Sequence, residues 1–296
     1  MVSIVKRKKG NTIYYYLKHH TAKNKKQREI YLGKEIPPNI EELKHAFLLD
    51  FYREEWLPSL EQIFLNHTKQ KKSMPKSIVQ KKLESFSIRF TYNTQKIEGS
   101  TLSLRETSDI IQFGLTPASK PERDMIETKL HQKLFLDIVN SQTKDNDLSL
   151  KTIQKWHKLL FRETKSDIAG NLRAFDVRIG GSKFIPPKPN AIVILLKEFF
   201  HWYHNNKNKI NPVELAVLAH LKFVTIHPFG DGNGRVSRLM MNFVLNKFDY
   251  PMFDINYTDR RSYYVALERS SLKDNDVLFL QWFMKRYIKV NNEFLS

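Results

Sequence analysis

Apolar side chains recur every three to four residues over most of the chain after residue 38, which is the spacing of one face of an α-helix. Ser103, followed three residues later by Glu106, has the form of a capping box at a helix start. The pattern predicts helices over 41–60, 76–97, from 103 onward, and over 121–140, 150–162, 190–208, 212–226, 235–248 and 260–290.

Two segments depart from this spacing and predict β-structure. Near the amino terminus, Thr12–Leu17 and Arg28–Leu32 are β-branched and aromatic, and they predict a hairpin with a lysine-rich loop near residues 20–27. Further on, Gly180 and Gly181 separate two short apolar runs, 177–179 and 184–185, and predict a second small hairpin. The predicted fold is therefore all-α: a helical bundle with two short β elements.

The charge of the chain is uneven. Its 296 residues contain 49 Lys and Arg against 31 Asp and Glu, a net charge of +18. Residues 1–38 alone hold ten Lys and Arg and two acids. A basic excess favours acidic partners such as nucleotides or nucleic acids. There is no cysteine, which excludes disulfides, thiolate nucleophiles and cysteine-ligated metals. Without an apolar signal segment or a membrane-length apolar run, we expect a cytoplasmic protein with no membrane partner.

The richest chemistry lies between Asn211 and Arg238. A strongly apolar helix ends at His227, because Pro228 cannot continue its hydrogen bonding. A loop with glycines follows, and the next helix begins with Arg235 and Arg238 on one face.

This arrangement is typical of an anion site. Exposed N–H groups at a helix start and close-approach glycines cradle phosphate oxygens, and two arginines add charged forks. Asp231 is an oxygen ligand suited to Mg²⁺, and His227 can accept a proton near neutral pH. Together these groups indicate phosphoryl or nucleotidyl transfer.

The run His227-Pro-Phe-Gly-Asp-Gly-Asn-Gly-Arg235, with Arg238 three residues on, resembles the signature of Fic-domain proteins at every specified position. The resemblance implies transfer of AMP from Mg²⁺-ATP to a Ser, Thr or Tyr hydroxyl of a protein. It makes His227 the base and Asp231 the metal ligand. It assigns the anion hole to Asn233 and the Gly232–Arg235 backbone, and the β- and γ-phosphates to Arg235 and Arg238. Gly234, where the related Doc phosphotransferases carry lysine, favours adenylyl transfer.

Two further segments are similar to parts of Fic domains. Residues 170–187 resemble the flap hairpin, which registers an extended target segment and whose tip approaches the nucleotide. The tip residues are Gly181, Ser182, Lys183 and Phe184. Residues 261–267 resemble the segment beside the adenine pocket, which gives Tyr263 and Tyr264 a contact with the base.

Residues 90–99 fit the family's inhibitory pattern, with Thr94 and Glu98 four apart on one helix face. By resemblance, Glu98 pairs with Arg238, removes it from the γ-phosphate and holds ATP in a non-reactive pose. The resemblance spans about residues 85–290, which we interpret as a catalytic domain that includes the inhibitory helix. It is preceded by a basic β-hairpin extension (1–38) and a helical extension (39–84).

Some alternatives stay open on the sequence alone. Some Fic proteins use the inhibitory glutamate to remove AMP, and the family's habit suggests a homodimer. A different class of function also fits the charge: a nucleic-acid-binding or interaction module that acts through the basic hairpin, with a subordinate transferase site.

Overall fold

The computed structural model describes residues 2–20, 27–141 and 147–295. Within them lie three strands: β1 (Ser3–Lys9), β2 (Thr12–His20) and β3 (Gln27–Gly33). Ten α-helices follow: α1 (Ile40–Ser73), α2 (Lys76–Ile97), α3 (Leu104–Phe113), α4 (Glu122–Asn140), α5 (Leu150–Phe161), α6 (Ile192–Asn206), α7 (Pro212–Ile226), α8 (Asn233–Lys247), α9 (Arg260–Leu272) and α10 (Val277–Val290). The chain divides into two compact units, Met1–Leu60 and Glu61–Ser296. The domain boundaries expected at residues 38 and 84 stay predictions.

The first unit contains an antiparallel sheet of order β1-β2-β3. The predicted hairpin pairs β2 with β3, but β1 adds a third strand that the sequence pattern did not predict. Lys6–Lys9 are four consecutive basic residues, and this edge strand tolerates them because all four side chains are exposed. Most of the lysine-rich loop expected near 20–27, residues 21–26, lies outside the described residues.

In the second unit the helical predictions hold. Helix α7 is buried over most of its circumference and packs against α6, α8 and α10. The Ser103–Glu106 capping box is confirmed, with both reciprocal hydrogen bonds present. The predicted helix at 260–290 is two helices, because the chain turns at Asp274 with a positive φ of 46°. In the described residues, no helix is both long and apolar enough to cross a membrane.

Three histidines are buried in this helical unit. Burial and nearby arginines lower the pKa of His131 and of His220 to about 3. Burial lowers the pKa of His157 to about 4. One carboxyl group shifts the opposite way, since burial raises the pKa of Asp254 to about 6.

Stability should therefore fall as the pH drops below about 6.5. The unfolded chain binds a proton on each of the three histidines there, whereas the folded protein does not. Asp254 offsets one of these protons, because its folded pKa lies above its unfolded value. The net difference near pH 5 is about two protons, or roughly 3 kcal/mol per pH unit. Denaturant unfolding at pH 7, 6 and 5 measures it; a free energy of unfolding that is flat or rises toward pH 5 would contradict it.

Candidate active site

The turn between α7 and α8 brings the sequence-predicted chemistry together. Helix α7 starts at a cap in which Val213 N–H donates to Asn211 Oδ1 at 2.9 Å, and it ends at His227. His227 adopts a left-handed conformation, with φ 52° and ψ 56°, which reverses the chain direction before Pro228. Helix α8 begins at Asn233, so its first turn presents amide N–H groups that have no intrahelical acceptors.

The side chain of Asn233 closes this turn. Its amide nitrogen donates to the Phe229 carbonyl, and its amide oxygen accepts the Phe229 N–H, each at 2.9 Å. The sequence assigned Asn233 to the anion hole. Its side chain here is hydrogen-bonded to the loop backbone, so the main-chain amides of the first turn of α8 are the groups we expect to bind an anion.

His157 supports the loop from α5, a role that the sequence did not reveal. Its Nδ1 accepts the Gly170 N–H at 2.8 Å, so Nε2 carries the proton and donates to the Asp231 carbonyl at 3.0 Å. The ring stacks on Phe229 with 3.9 Å between centroids. Because its pKa is low, His157 stays neutral and keeps both hydrogen bonds near neutral pH.

His227 has the surroundings of a general base. Its Nδ1 lies 3.1 Å from the Val224 carbonyl, which places the proton on Nδ1 and leaves Nε2 with a free electron pair. Burial lowers the pKa of His227 further than the Val224 hydrogen bond raises it, so the ring is neutral near pH 7.

Arg173 holds the backbone around His227. Its Nε donates to the His227 carbonyl at 2.8 Å, and its own N–H donates to the Pro228 carbonyl at 2.9 Å. The two terminal nitrogens donate to the carbonyls of Phe175 and Pro187. One buried guanidinium thus joins the backbone of His227 to Phe175 and Pro187 of the segment predicted as the flap.

Asp231 is ionised near neutral pH. Burial alone would raise the pKa of Asp231, but Arg235 and a hydrogen bond from Lys165 lower it to about 2. In the parts of the chain that the structure describes, no cluster of three or more His, Asp or Glu residues could hold a metal ion. An ionised single carboxylate fits Mg²⁺, which takes most of its ligands from phosphates and water.

Arg235 points into a buried network. Its NH1 donates to Glu127 and, at 3.3 Å, to Gln95 Oε1, and its NH2 lies 3.4 Å from Asp231. The guanidinium also lies over the Phe161 ring. The sequence assigned Arg235 to phosphate, whereas in this structure carboxylates from α4 and the loop meet its charge.

Arg238 pairs with Glu98, as the family resemblance implies. Its NH2 donates to Glu98 Oε1 at 2.6 Å and to the Thr94 carbonyl at 3.3 Å. Arg238 is 1% exposed and Glu98 25% exposed. Burial opposes the arginine's charge, but the Glu98 carboxylate outweighs it and raises the pKa of Arg238 above its usual value.

Gly234 makes room for this ion pair. A Cβ at position 234 would lie 2.3 Å from Glu98 Oε1 and 3.1 Å from Arg238 NH1. The Glu98 carboxylate therefore lies directly against the first turn of α8, where the phosphate-binding amides are expected.

The two tyrosines of α9 separate into different roles. Tyr263 is 1% exposed, and its hydroxyl lies 2.9 Å from His220 Nε2 and 3.4 Å from Arg238 NH1. This corrects the expectation that Tyr263 contacts a base, because its ring is enclosed in the core and it positions Arg238 instead. Tyr264 is 37% exposed, so part of its side chain is accessible to a ligand. Its hydroxyl donates to the Ile97 carbonyl.

The segment predicted as the flap turns as a hairpin does, but its two arms do not form paired β-strands. The Ser182 N–H donates to the Ile179 carbonyl at 3.1 Å, and Gly181 has a φ of 73°. No strand is formed in the described residues 177–185. The reason is that side chains take the amides a ladder would use: Lys183 N–H donates to Glu268, and Phe184 N–H donates to Ser182 Oγ. Glu268 thereby fastens the flap tip to α9.

The comparisons with known proteins agree with this geometry. A model described as the Fic/DOC family matches residues 147–245 of this chain. Protein adenylyltransferase Fic of Drosophila grimshawi is 33% identical over 185 residues, which cover 62% of this chain and 38% of that protein. Protein adenylyltransferase fic-1 of Caenorhabditis elegans is 31% identical over 189 residues, 62% of this chain and 37% of that one. The matches thus span well under half the length of these relatives.

A solved structure extends the likeness to the whole helical fold. The crystal structure of a Fic-domain-containing signaling protein from Bacteroides thetaiotaomicron superposes with a TM-score of 0.72 at 25% sequence identity. The match covers 80% of this chain and 95% of that protein. The helical bundle is therefore a Fic fold.

Gly232 should be the glycine that the loop tolerates losing least. It has a φ of 76°, and a Cβ would lie 2.3 Å from the Phe161 ring. We expect Gly232→Ala to lower the free energy of unfolding by about 2–4 kcal/mol, from a core clash added to backbone strain. Denaturant titration monitored by circular dichroism measures this change.

Two matched glycines separate the causes. Gly114→Ala has the positive φ without the clash and should cost about 1 kcal/mol. Gly180→Ala has neither and should stay within about 0.5 kcal/mol of the parent protein. Equal losses in all three variants would show that the contact with Phe161 is unimportant.

Proposed function

We propose that this chain is an autoinhibited protein adenylyltransferase, which transfers AMP from ATP to a hydroxyl side chain of another protein. The observation that carries the proposal is the α7–α8 turn, where a neutral histidine, an ionised aspartate and the free amides of a helix start converge. The names of the adenylyltransferase relatives support the choice of reaction.

The reaction divides among the residues of this turn. The target hydroxyl approaches His227 Nε2, which takes its proton while the hydroxyl oxygen attacks the α-phosphorus. A new oxygen–phosphorus bond forms, the bond from the α-phosphorus to the bridging oxygen breaks, and pyrophosphate leaves. The buried hydrogen bond from Nδ1 to Val224 keeps the ring in the orientation that presents Nε2.

The first turns of α8 bind the phosphates of ATP. The amides of its first turn bind the phosphate oxygens, and Arg238 supplies positive charge once Glu98 no longer neutralises it. Asp231 would hold Mg²⁺, and Lys165 would then give up its contact with that carboxylate. When bound, the cation neutralises phosphate charge. The adenine base stacks on Tyr264, and the flap tip from Gly181 to Phe184 covers the nucleotide.

Inhibition rests on the Glu98–Arg238 pair. The carboxylate occupies the side of Gly234 where the γ-phosphate oxygens would approach Arg238. Two negative groups cannot share that arginine without strong repulsion, so ATP binds weakly or in a pose that misaligns the α-phosphorus. Removal of AMP by way of Glu98, formation of a homodimer and a cytoplasmic location stay predictions from the resemblance and the sequence.

Glu98→Gly should activate the enzyme. Removing the carboxylate frees Arg238 for phosphate, so labelling of protein by ATP carrying a radioactive α-phosphate should rise about tenfold or more. Incubation of purified protein with a cell lysate, followed by gel autoradiography, measures the change. Label delivered from the γ-phosphate instead would point to phosphotransfer and overturn the proposed reaction.

A charge-matched pair provides the control. Glu98→Gln removes the charge facing Arg238 and should also activate, whereas Glu84→Gln removes an exposed charge from the same helix and should not. Equal labelling by these two glutamine variants would contradict an inhibitory role for Glu98.

His227→Ala, made in the Glu98→Gly background, should lower labelling about 100-fold or more because it removes the base that takes the hydroxyl proton. His201→Ala, which removes an exposed histidine from α6, should leave labelling unchanged. Undiminished labelling by the His227 variant would exclude it as the base.

A further inference from the structure

The sheet of the first unit has one face occupied by α1. Side chains alternate across a strand, and Leu17 and His19 of β2 point to the face that α1 covers. His19 contacts the ring of Phe51 with 4.8 Å between centroids, and Arg28 of β3 pairs with Glu54 at 2.9 Å. This face of the sheet therefore forms the core of the unit.

The opposite face carries a different set of side chains, which we call the tyrosine face. Register places Tyr14 and Tyr16 of β2 on it beside Tyr31 of β3. Their rings pack in a tilted cluster, with Tyr31 at 6.1 Å from Tyr14 and 5.3 Å from Tyr16. Tyr31 is 55% exposed, so the cluster reaches solvent.

Basic side chains surround this cluster. The register places Arg7, Lys9 and Lys18 on the tyrosine face, with Glu29 as the acid among them. Arg7 lies over the Tyr16 ring at 4.7 Å and pairs with Glu29 at 2.7 Å, which holds its guanidinium in place. The face therefore combines a net positive charge with fixed, amphipathic phenol groups.

We propose that the tyrosine face binds double-stranded DNA in the major groove. Three strands at a spacing of about 4.8 Å place the outer two about 10 Å apart, which fits a groove about 12 Å wide. The tilted ring contacts and the position of Arg7 over Tyr16 leave no row of parallel, open rings, so the face offers ring edges and hydroxyls rather than a platform on which successive bases could stack. Such groups suit the base edges and phosphates of a duplex better than unstacked single-stranded bases.

The lysines of β1 also have an explanation that does not involve DNA. Lysines on an edge strand also serve to prevent sheet-to-sheet aggregation, and that role needs no ligand. If the lysines only prevent aggregation, those on the two faces of β1 should contribute equally little to DNA binding. DNA binding by the tyrosine face makes them unequal, because only Lys9 and Lys18 would meet phosphates while Lys6 and Lys8 point to the other side.

The test compares two double substitutions, each made in the 296-residue chain, that remove the same charge from opposite faces of the sheet. Fluorescence anisotropy with a short, labelled, mixed-sequence DNA duplex is measured at several salt concentrations. Lys9→Gln with Lys18→Gln should weaken binding about tenfold or more and lower the salt slope by about 2, since each lost phosphate contact contributes about 0.9. Lys6→Gln with Lys8→Gln should stay within about threefold of the parent.

Competition experiments identify the nucleic acid. The unlabelled DNA duplex should compete better than the corresponding single strand or an RNA duplex, whose deep, narrow major groove excludes the sheet. Absence of duplex binding, better competition by the single strand or RNA duplex, or equal losses in both double variants would overturn the proposal. The titrations contain no ATP, so they succeed or fail independently of the adenylyltransferase activity.

Discussion

A buried arginine in the second turn of α8 is the constraint on which the site depends. Arg238 is almost completely enclosed, and a buried charge without a partner is strongly destabilising. Something anionic must therefore lie against it in every stable state of the protein. In this structure Glu98 fills that role, and with nucleotide bound a phosphate would. In the proposed mechanism, the same electrostatic requirement favours both ATP binding and inhibition by Glu98.

This requirement explains the arrangement of residues around the arginine. Gly234 has no side chain because the anion must reach Arg238 across that position. Tyr263 is buried beside Arg238, where its hydroxyl links the guanidinium to the neutral His220. Burial depresses the pKa of His220 and so keeps a second positive charge away from Arg238. The two side chains next to Arg238 on this side, Tyr263 and His220, therefore add no second positive charge.

Sequence reasoning predicted the parts of this site that are local in the chain. The turn from His227 to Arg238 is one continuous segment, and the helical spacing of Thr94 and Glu98 indicates their shared face. The Glu98–Arg238 contact itself joins residues 140 positions apart, and only the family resemblance anticipated it. The helices were predictable because each buries an apolar face with a regular period.

What could not be predicted are partnerships that depend on the fold. His157 and Glu127 lie far along the chain from the loop that they support, and nothing in their local sequence marks them. Arg235 was assigned to phosphate because its spacing from Arg238 puts both on one helix face. That assignment could not include the Glu127 carboxylate, which α4 brings against it. The flap lost its ladder for a similar reason, since Glu268 of α9 takes an amide that a strand would use.

The packing of α2 limits how the proposed inhibition can be relieved. Gln95 donates to the Glu127 carbonyl and accepts from Arg235, and Asn93 binds both Asp254 and the backbone of Tyr257. Moving the whole helix would break these buried hydrogen bonds together, at a cost of roughly 1–3 kcal/mol for each group left unsatisfied. Glu98 is the C-cap residue that follows the last residue of α2, Ile97, and its side chain is 25% exposed. Rotation of that one side chain frees Arg238 while the rest of α2 stays in place, so it is the smaller conformational change.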